Sequence, residues 1–413
     1  MSRNKILVSI LLVGGLVSPM AHATNGDEML AVGAQNTALG GTGVANFVGA
    51  DSAWSNPAIL GKAKGSEVTG GVNLFKPKVT NTGVAGGAAG SSSADTSYIP
   101  DVSYSSRIND SLTYGVAVAG VAGMGVDYTG ASPTLGLIKA KSTLNILRVV
   151  ADVAYNGDNY GVGFSPIFQS GSLSLSYNNF DGTNGGPYNA GQSSDSSTGL
   201  GYALGGYYNA TTAVIIAAAY QSQIAAKYGK QISGAGVGFG LATGSPYGAA
   251  FGDNLDQPAQ IKLGLAYSAS QSVTLTADYK QIQWGSAAGY KDFGWQDQNI
   301  IALGAKYAPS GYWLGLGYNH ANDPIGVLSD TTYRNAAINI FNNLLFPAIV
   351  TNSYTFGGGY DLSTSFAIEG AAVITPEVTK SVPISSLSGG LGASQNTTTH
   401  SQQAFEISLR YKL

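Results

Sequence analysis

Residues 405–413 read FEISLRYKL, and the apolar and polar residues of this stretch alternate. Its odd-numbered positions, from Phe405 to Leu413, are all apolar or aromatic, and its even-numbered positions, from Glu406 to Lys412, are all polar or charged. Successive side chains of a β-strand point to opposite faces, and a tilted strand of about nine residues crosses a bilayer. The stretch therefore predicts a membrane-spanning strand with one face towards lipid and the other towards a polar interior.

The same alternation recurs upstream, for example over residues 259–268 and 271–283. Short turn-forming links such as Asn109-Asp110 alternate with long Gly- and Ser-rich segments such as 177–199 and 375–403, as the two ends of a membrane barrel require. A soluble β-sandwich remains an alternative, but it does not predict this order of links. We expect an all-β protein, a 14-stranded antiparallel transmembrane β-barrel, with about fourteen strands near residues 66–76, 98–107, 111–122, 143–155, 159–176, 200–209, 211–222, 259–268, 271–283, 298–308, 311–320, 351–360, 362–374 and 404–413.

Composition agrees with a barrel. Only 10% of the residues are charged, with 58 Gly and 24 Tyr, whereas about a quarter of the residues of soluble chains are charged. After the N-terminus no stretch approaches the roughly 18 apolar residues of a spanning helix. The absence of Cys excludes disulfides and thiolate metal sites, and the chain shows neither a basic stripe nor a nucleic-acid-binding motif. We therefore expect no nucleic-acid partner.

The N-terminus predicts export. Arg3 and Lys5 precede an apolar run over residues 6–17, and Ala21-His22-Ala23 follows, which is the pattern of a cleaved signal peptide. The mature chain would begin near Thr24, and an uncleaved anchor is the alternative. We divide the chain into a signal peptide (1–23), an N-terminal hatch (24–64) and a barrel (65–413). The hatch is rich in Gly and Ala and does not alternate, so it is expected to plug the lumen.

Several segments identify a family. Residues 34–45 (AQNTALGGTGVA), followed by Asn56, Pro57 and Ala58, resemble the hatch of the long-chain fatty acid transporter (FadL) family, whose most recognisable motif is Asn-Pro-Ala. Segment 278–284 (DYKQIQW) also resembles the family, and the likeness covers most of the mature chain except the long loops. It implies a hatch-plugged channel of the Gram-negative outer membrane for passive uptake of hydrophobic small molecules: long-chain fatty acids, alkanes or aromatic hydrocarbons.

The resemblance also implies that cargo leaves sideways through a gap at an inward kink of the third strand. That strand contains Gly120, Gly123, Met124 and Gly125, and Gly within a strand marks a bulge or kink. These four residues are the expected lateral gate, and a flexible strand end is the alternative. Family members often have Pro or Phe nearby where this chain has Ala122 and Met124, so the edge of the gate is not defined by the motif.

Two further groups of residues are candidates for substrate contact. In the family a cationic side chain meets a fatty acid carboxylate, and Lys280 and Arg410 are the candidates here. An unusually apolar segment of a long loop predicts a short amphipathic helix that lines an entry groove, although packing on the barrel rim would explain it equally well. The groove residues are Ile338, Ile340, Phe341, Leu344, Leu345 and Phe346.

Enzymatic alternatives find little support. Once His22 leaves with the signal peptide, only His320 and His400 remain, so we predict no catalytic residues, no metal site and no cofactor. An open polar porin remains the alternative function because lumen-facing charges would suit one, although a porin needs no Asn-Pro-Ala plug. The expected partners are the hydrophobic substrate, outer-membrane lipid and lipopolysaccharide, with the protein acting as a monomer.

Overall fold

The computed structural model describes residues 24–84, 88–132, 136–178, 187–189, 194–387 and 393–413. The predicted signal peptide lies outside these residues. Fourteen antiparallel strands form a closed barrel, as the sequence predicts. The strands are β1 (Ser66–Asn81), β2 (Ser97–Arg107), β3 (Leu112–Asp127), β4 (Lys141–Asn156), β5 (Tyr160–Asn178), β6 (Asp195–Asn209), β7 (Val214–Gln221), β8 (Gln260–Ser268), β9 (Val273–Ile282), β10 (Gln298–Tyr307), β11 (Tyr312–Ala321), β12 (Asn352–Asp361), β13 (Phe366–Pro383) and β14 (Gln395–Lys412).

The barrel closes between its last and first strands. β14 pairs with β1 from Thr398–Asn81 to Lys412–Glu67, and every other strand pairs with its neighbour in the chain. Short turns such as 157–159 lie at one end, and long loops such as 222–259 lie at the other. Closure pairs the backbone groups of the first and last strands, which would be costly to leave unpaired in lipid.

The two faces of the wall have opposite chemistry. In β14 the side chains of Phe405, Ile407 and Leu409 are about half exposed, at 45%, 59% and 46%, whereas Glu406 and Ser408 are buried in the interior. The alternation of lipid-facing and interior side chains that the sequence of β14 predicts is thus confirmed. The low overall charge reflects a lipid-facing surface built almost entirely from apolar and aromatic residues.

The last hairpin is longer than the alternation predicts. β13 continues to Pro383 and β14 begins at Gln395, so the intervening loop is much shorter than the expected 375–403. The added length is held by polar cross-strand pairs, for example Ser381 Oγ and Thr397 Oγ1 at 2.7 Å. The outward face of this extension is polar, with Thr379, Ser381, Thr397 and Thr399, and for that reason apolar alternation could not detect it.

The long loops fold over their end of the barrel. They contain α2 (Gln231–Gly238), α3 (Tyr333–Leu345) and 3₁₀ turns at Tyr290–Phe293 and Ser385–Leu387. Their apolar side chains join the upper strands in one buried cluster. Within the part of the chain that the structure describes, no helix is long and apolar enough to cross a membrane.

The N-terminal segment, residues 24–64, fills the lumen. It consists of a small hairpin (Thr24–Asn25 with Glu28–Met29), the one-turn helix α1 (Ala34–Ala38) and two 3₁₀ helices (Asp51–Trp54 and Pro57–Lys62). Most of its side chains are buried against the inner wall. Many wall positions that face it are Gly, which lets the two backbones approach closely.

Candidate functional site

Lumen-facing carboxylates hold the N-terminal segment in the barrel. Glu406 of β14 accepts a hydrogen bond from the Thr37 hydroxyl at 2.7 Å. Asp278 of β9 accepts from two backbone amides, those of Gly43 at 2.8 Å and Val44 at 2.9 Å. Hydrogen bonds to a charged acceptor are stronger than those between neutral groups. The segment is therefore tied to two separate parts of the wall.

The Asn-Pro-Ala motif forms the turn that starts the second 3₁₀ helix of this segment. Asn56 Oδ1 accepts from the Ala58 amide at 3.0 Å, and Asn56 Nδ2 donates to the Val44 carbonyl at 2.8 Å. Pro57 starts the 3₁₀ helix, where its missing N–H costs nothing. The turn lies directly on the wall at Gly205, where any Cβ would collide with Asn56 Oδ1. The motif thus caps the 3₁₀ helix and packs against the backbone of β6 at a position that has no side chain.

The third strand leaves the barrel wall. The β2–β3 ladder ends at Asp101–Ala119, although both strands continue beyond this pair. Between Gly120 and Ala122 the β3–β4 ladder shifts register, which marks a β-bulge. The alternation of burial also ends here, because residues 119–124 are all buried. Beyond Asp101 and Ala119 the wall therefore has an opening between β2 and β3, which we call the wall gap.

The N-terminal hairpin covers the free edge of β3 from inside. Glu28 pairs with Ala122, and the Gly123 amide donates to the Asp27 carbonyl at 2.8 Å. These bonds satisfy backbone groups that would otherwise be orphaned at the wall gap. The Asp27 carboxylate in turn accepts a hydrogen bond from the Tyr290 hydroxyl. Burial raises the pKa of the Asp27 carboxyl to about 7.

An apolar cavity lies beneath the long loops, and we call it the outer cavity. Phe293 and Phe341 stack there with ring centroids 4.5 Å apart, and Trp295 Nε1 donates to Asn342 Oδ1 at 3.1 Å. Met124 of β3 forms part of its floor. The remaining lining comes from the loops after β7, β9 and β11, through Ile232, Leu255, Tyr290 and Phe346. This lining suits an apolar guest.

The structure contains the predicted helix, α3, but most of the expected groove residues do not line the outer cavity. α3 begins at Tyr333, where the Thr332 hydroxyl accepts from the Asn335 amide at 3.2 Å. Only Phe341 and Phe346 of the six expected groove residues line the outer cavity. The others are buried within the core of the loops: Ile338, Ile340, Leu344 and Leu345. Packing of the loops on the rim therefore accounts for these four.

Sequence reasoning missed three aromatic residues that line the outer cavity: Tyr290, Phe293 and Trp295. They lie in the loop between β9 and β10. The available signal was a concentration of aromatic residues in segment 284–295, which also contains Trp284. A loop of such composition lacks periodicity, so the sequence does not reveal what these rings face.

A second cavity, which we call the gap cavity, lies at the wall gap. Gly123, Met124 and Gly125 line it, so three of the four predicted gate residues meet there, while Gly120 lies where the gap begins. Met124 lines both the gap cavity and the outer cavity. The other lining residues are Thr24, Gly26, Phe75, Pro77, Val79, Pro347, Ala348, His400 and Gln402.

Lys280 faces a third, more polar cavity between the N-terminal segment and the wall, which also includes Glu28 and Arg148. Lys262 lies directly opposite Lys280 in the β8–β9 ladder. Glu28 pairs with Arg148 at 3.4 Å and accepts from Gln260 at 2.7 Å. Charge is therefore concentrated in the interior, away from the outer and gap cavities.

The structure does not bring Arg410 to any of these cavities. Its guanidinium contacts Glu67 at 2.7 Å and Glu369 at 2.9 Å, and it also donates to the Val48 carbonyl at 2.9 Å. These partners already use the donors that a substrate carboxylate would need. Arg410 thus braces the lumen wall and the N-terminal segment.

The described residues include two histidines, and both are hydrogen-bonded to amide or carbonyl groups. His320 is exposed beside Asn352, and His400 bonds the Pro347 carbonyl at 2.7 Å. Across the described ranges, no group of three or more His, Asp or Glu side chains is arranged to hold a metal ion.

Comparison with known proteins agrees with this architecture. A crystal structure of a Pseudomonas aeruginosa FadL homologue has a TM-score of 0.70 at 16% identity, covering 94% of this chain and 100% of that one. The Pseudomonas putida toluene transporter TodX has a TM-score of 0.69 at 18% identity, with 93% and 99% covered. For the Ralstonia pickettii toluene transporter TbuX the TM-score is 0.63 at 19% identity, with 93% and 99% covered. The chain matches no curated protein sequence.

The sequence profile described as "Outer membrane protein transport protein (OMPP1/FadL/TodX)" matches residues 17–411, nearly the whole chain. The chain therefore belongs to the OMPP1/FadL/TodX family of outer membrane transport proteins.

Proposed function

We propose that this protein is a passive channel for hydrophobic small molecules, which enter from the outer cavity and leave sideways through the wall gap. The observation that carries the proposal is the end of the β2–β3 ladder at Asp101–Ala119, with an apolar cavity on the inner side of the opening. Long-chain fatty acids, alkanes and aromatic hydrocarbons all suit such a route. The names of the two toluene transporters favour the same class of cargo.

Met124 is the proposed gate. Because its side chain lines both cavities, a change of its rotamer would join them. Met is unbranched and adapts to irregular apolar shapes, so it can seal the passage against water and still yield to a guest. Gly123 and Gly125 flank it, and small residues leave the strand free to bend. Gly120 would serve as the hinge next to the bulge.

Sideways release follows from the chemistry of the cargo. Each CH₂ group that returns to water costs about 0.8 kcal/mol, so expulsion of a long apolar chain into an aqueous compartment is strongly unfavourable. The lipid beside the wall gap is the better sink. The energy for net uptake would then come from the concentration gradient, without a cofactor or a catalytic step.

Residues 24–64 serve as the hatch in this proposal. They are hydrogen-bonded to the wall through Asp278 and Glu406, and a lumen filled in this way disfavours an open polar porin. The segment is expected to become the N-terminus of the mature protein after cleavage behind Ala23. The barrel would then act as a monomer among outer-membrane lipid and lipopolysaccharide.

Deletion of Val121 tests the proposal. The register of β3 shifts around this residue, so its removal lets Gly120 and Ala122 follow one another in the ladder and brings β3 back towards the wall. The measurement is the initial uptake of labelled oleate, toluene and a disaccharide by cells with equal amounts of folded protein. Val121→Ala, which keeps the chain length, is the matched control.

We expect the deletion to abolish most apolar uptake and Val121→Ala to retain it. Unchanged oleate and toluene uptake in the deletion variant would refute sideways release. If only the disaccharide enters through the unsubstituted protein, the channel is a polar porin instead.

A further inference from the structure

Thr24, the first residue that the structure describes, lies in the gap cavity. It is only 6% exposed, and its backbone nitrogen donates to Gln402 Oε1 at 3.0 Å. Gln402 Nε2 also donates to the Thr24 hydroxyl at 3.3 Å. The start of the N-terminal segment is therefore held against β14 at the wall gap.

A chain of hydrogen bonds fixes which atom Gln402 presents to Thr24. The Pro347 carbonyl can only accept, so His400 Nδ1, at 2.7 Å, carries the proton and donates. His400 Nε2 is then an acceptor in the neutral ring, and Gln402 Nε2 donates to it at 3.1 Å. This leaves Gln402 Oε1 for the Thr24 nitrogen. The wall thus presents an oxygen that can only accept, Gln402 Oε1, to the Thr24 nitrogen, which can only donate.

Cleavage behind Ala23, which is part of the proposed function, would turn the Thr24 nitrogen into an α-ammonium group. Such a group has three protons, of which Gln402 accepts one. No acidic residue lines the gap cavity among the residues that the structure describes. A buried cation without a counter-charge is costly and tends to lose its proton, so an anionic guest would stabilise the charged form.

We propose that the mature amino terminus is the carboxylate-binding group of the gap cavity, and that the cargo is a long-chain carboxylic acid. This inference rests on the proposed function and narrows its substrate class. The carboxylate would meet the α-ammonium of Thr24, and the chain would lie along Phe75, Val79 and Met124. A neutral hydrocarbon fits the same walls but leaves the charge unpaired. The cation on the exit route thus comes from the backbone, not from Lys280 or Arg410.

The test compares oleate with oleyl alcohol, which has the same chain and no carboxylate. Initial uptake of both is measured in cells that express the unsubstituted protein, Gln402→Glu or Thr24→Ser. Gln402→Glu places a carboxylate against the α-ammonium and neutralises it, whereas Thr24→Ser keeps the charge. A third variant, with one Gly inserted between Ala23 and Thr24, moves the ammonium by about 3.8 Å. The intact mass of each purified protein identifies its first residue, and heat-dependent gel mobility checks that the barrel has folded.

We expect oleate uptake through Gln402→Glu and through the insertion variant to fall about tenfold, the effect of losing one charge-assisted hydrogen bond. Uptake of oleyl alcohol should stay unchanged, and Thr24→Ser should behave like the unsubstituted protein. If the mature unsubstituted protein does not begin at Thr24, or if the variants affect both compounds equally, the inference is overturned. If oleyl alcohol enters and oleate shows no dependence on the variants, this inference alone fails. If neither compound enters faster than in cells without the protein, the proposed function fails with it.

Discussion

The backbone amide of Gly123 donates a hydrogen bond to the carbonyl oxygen of Asp27 over 2.8 Å. In a regular barrel the outer edge of β3 would pair with β2, but here this amide finds its partner in the N-terminal segment. The same two-residue stretch, Asp27-Glu28, pairs with Ala122 and contacts Tyr290 of the loop over the outer cavity. One short piece of chain thus contacts both the edge of the wall gap and a residue that lines the outer cavity.

Asp27 should make the attachment of this segment depend on pH. Burial raises the pKa of its carboxyl from 3.8 to about 7, so docking is strongest below pH 4 and weakens as pH rises through 7. Tyr290 is the hydroxyl that faces it, with Glu28 and Arg148 as the nearby charges. We expect a thiol introduced by Asn25→Cys to become more reactive between pH 5 and pH 8, relative to the same thiol in an Asp27→Asn background. An equal increase in both backgrounds would contradict this.

We expect that the Asn-Pro-Ala turn can pack on the wall only if position 205 has no side chain. A side chain there collides with Asn56 Oδ1, so Gly205→Val should push the turn away and let small polar solutes leak through the barrel. The neighbouring Gly206 is the matched control, because the nearest atom to an added Cβ is 3.7 Å away. Sensitivity of cells to a polar antibiotic measures the leak. Equal sensitivity of the Gly205→Val and Gly206→Val strains would count against the proposed seal.

Arg410 should be structural. Arg410→Met leaves Glu369 and Glu67 without their cation in the lumen, and loss of one partner of a buried ion pair costs about 3–5 kcal/mol. Lys280→Met is the comparison, and here we expect a smaller loss because Lys280 faces a polar cavity instead of a close carboxylate partner. Urea unfolding in lipid vesicles measures both free energies of unfolding. A larger loss for Lys280→Met would reverse the assignment.

Trp295 should contribute to binding in the outer cavity. Trp295→Ala removes an aromatic wall, and the loss of one aromatic contact is worth about 1 kcal/mol, or several-fold in affinity. Tyr247 is the control, because it is 51% exposed, contacts the ring of Tyr333 and does not line the cavity. Half-saturation of apolar uptake measures the effect. Similar shifts for Trp295→Ala and Tyr247→Ala would indicate a general disturbance of the loops.

Several features of this protein follow from its sequence alone, because they depend on local patterns. In a strand between lipid and lumen, apolar and polar side chains must alternate, so the sequence FEISLRYKL at 405–413 indicates both faces of the strand. The order of short and long links adds the up-and-down topology. Gly120, Gly123 and Gly125 indicate a weak point in β3, because Gly weakens a strand interior and often marks a bulge.

Other features were decided only by tertiary structure, because they depend on residues distant in the chain. The sequence cannot indicate that β2 stops pairing at Asp101. Whether this edge is paired depends on β2, on β3 and on the N-terminal hairpin, which bonds to β3 in place of β2. In the sequence, Arg410 and Lys280 are both cations at lumen-facing positions of a strand and look equivalent. In the structure, three partners that are distant in the chain take up the hydrogen-bond donors of Arg410. Likewise Thr24 acquires its place beside Gln402 only when the last strand closes the barrel against the first.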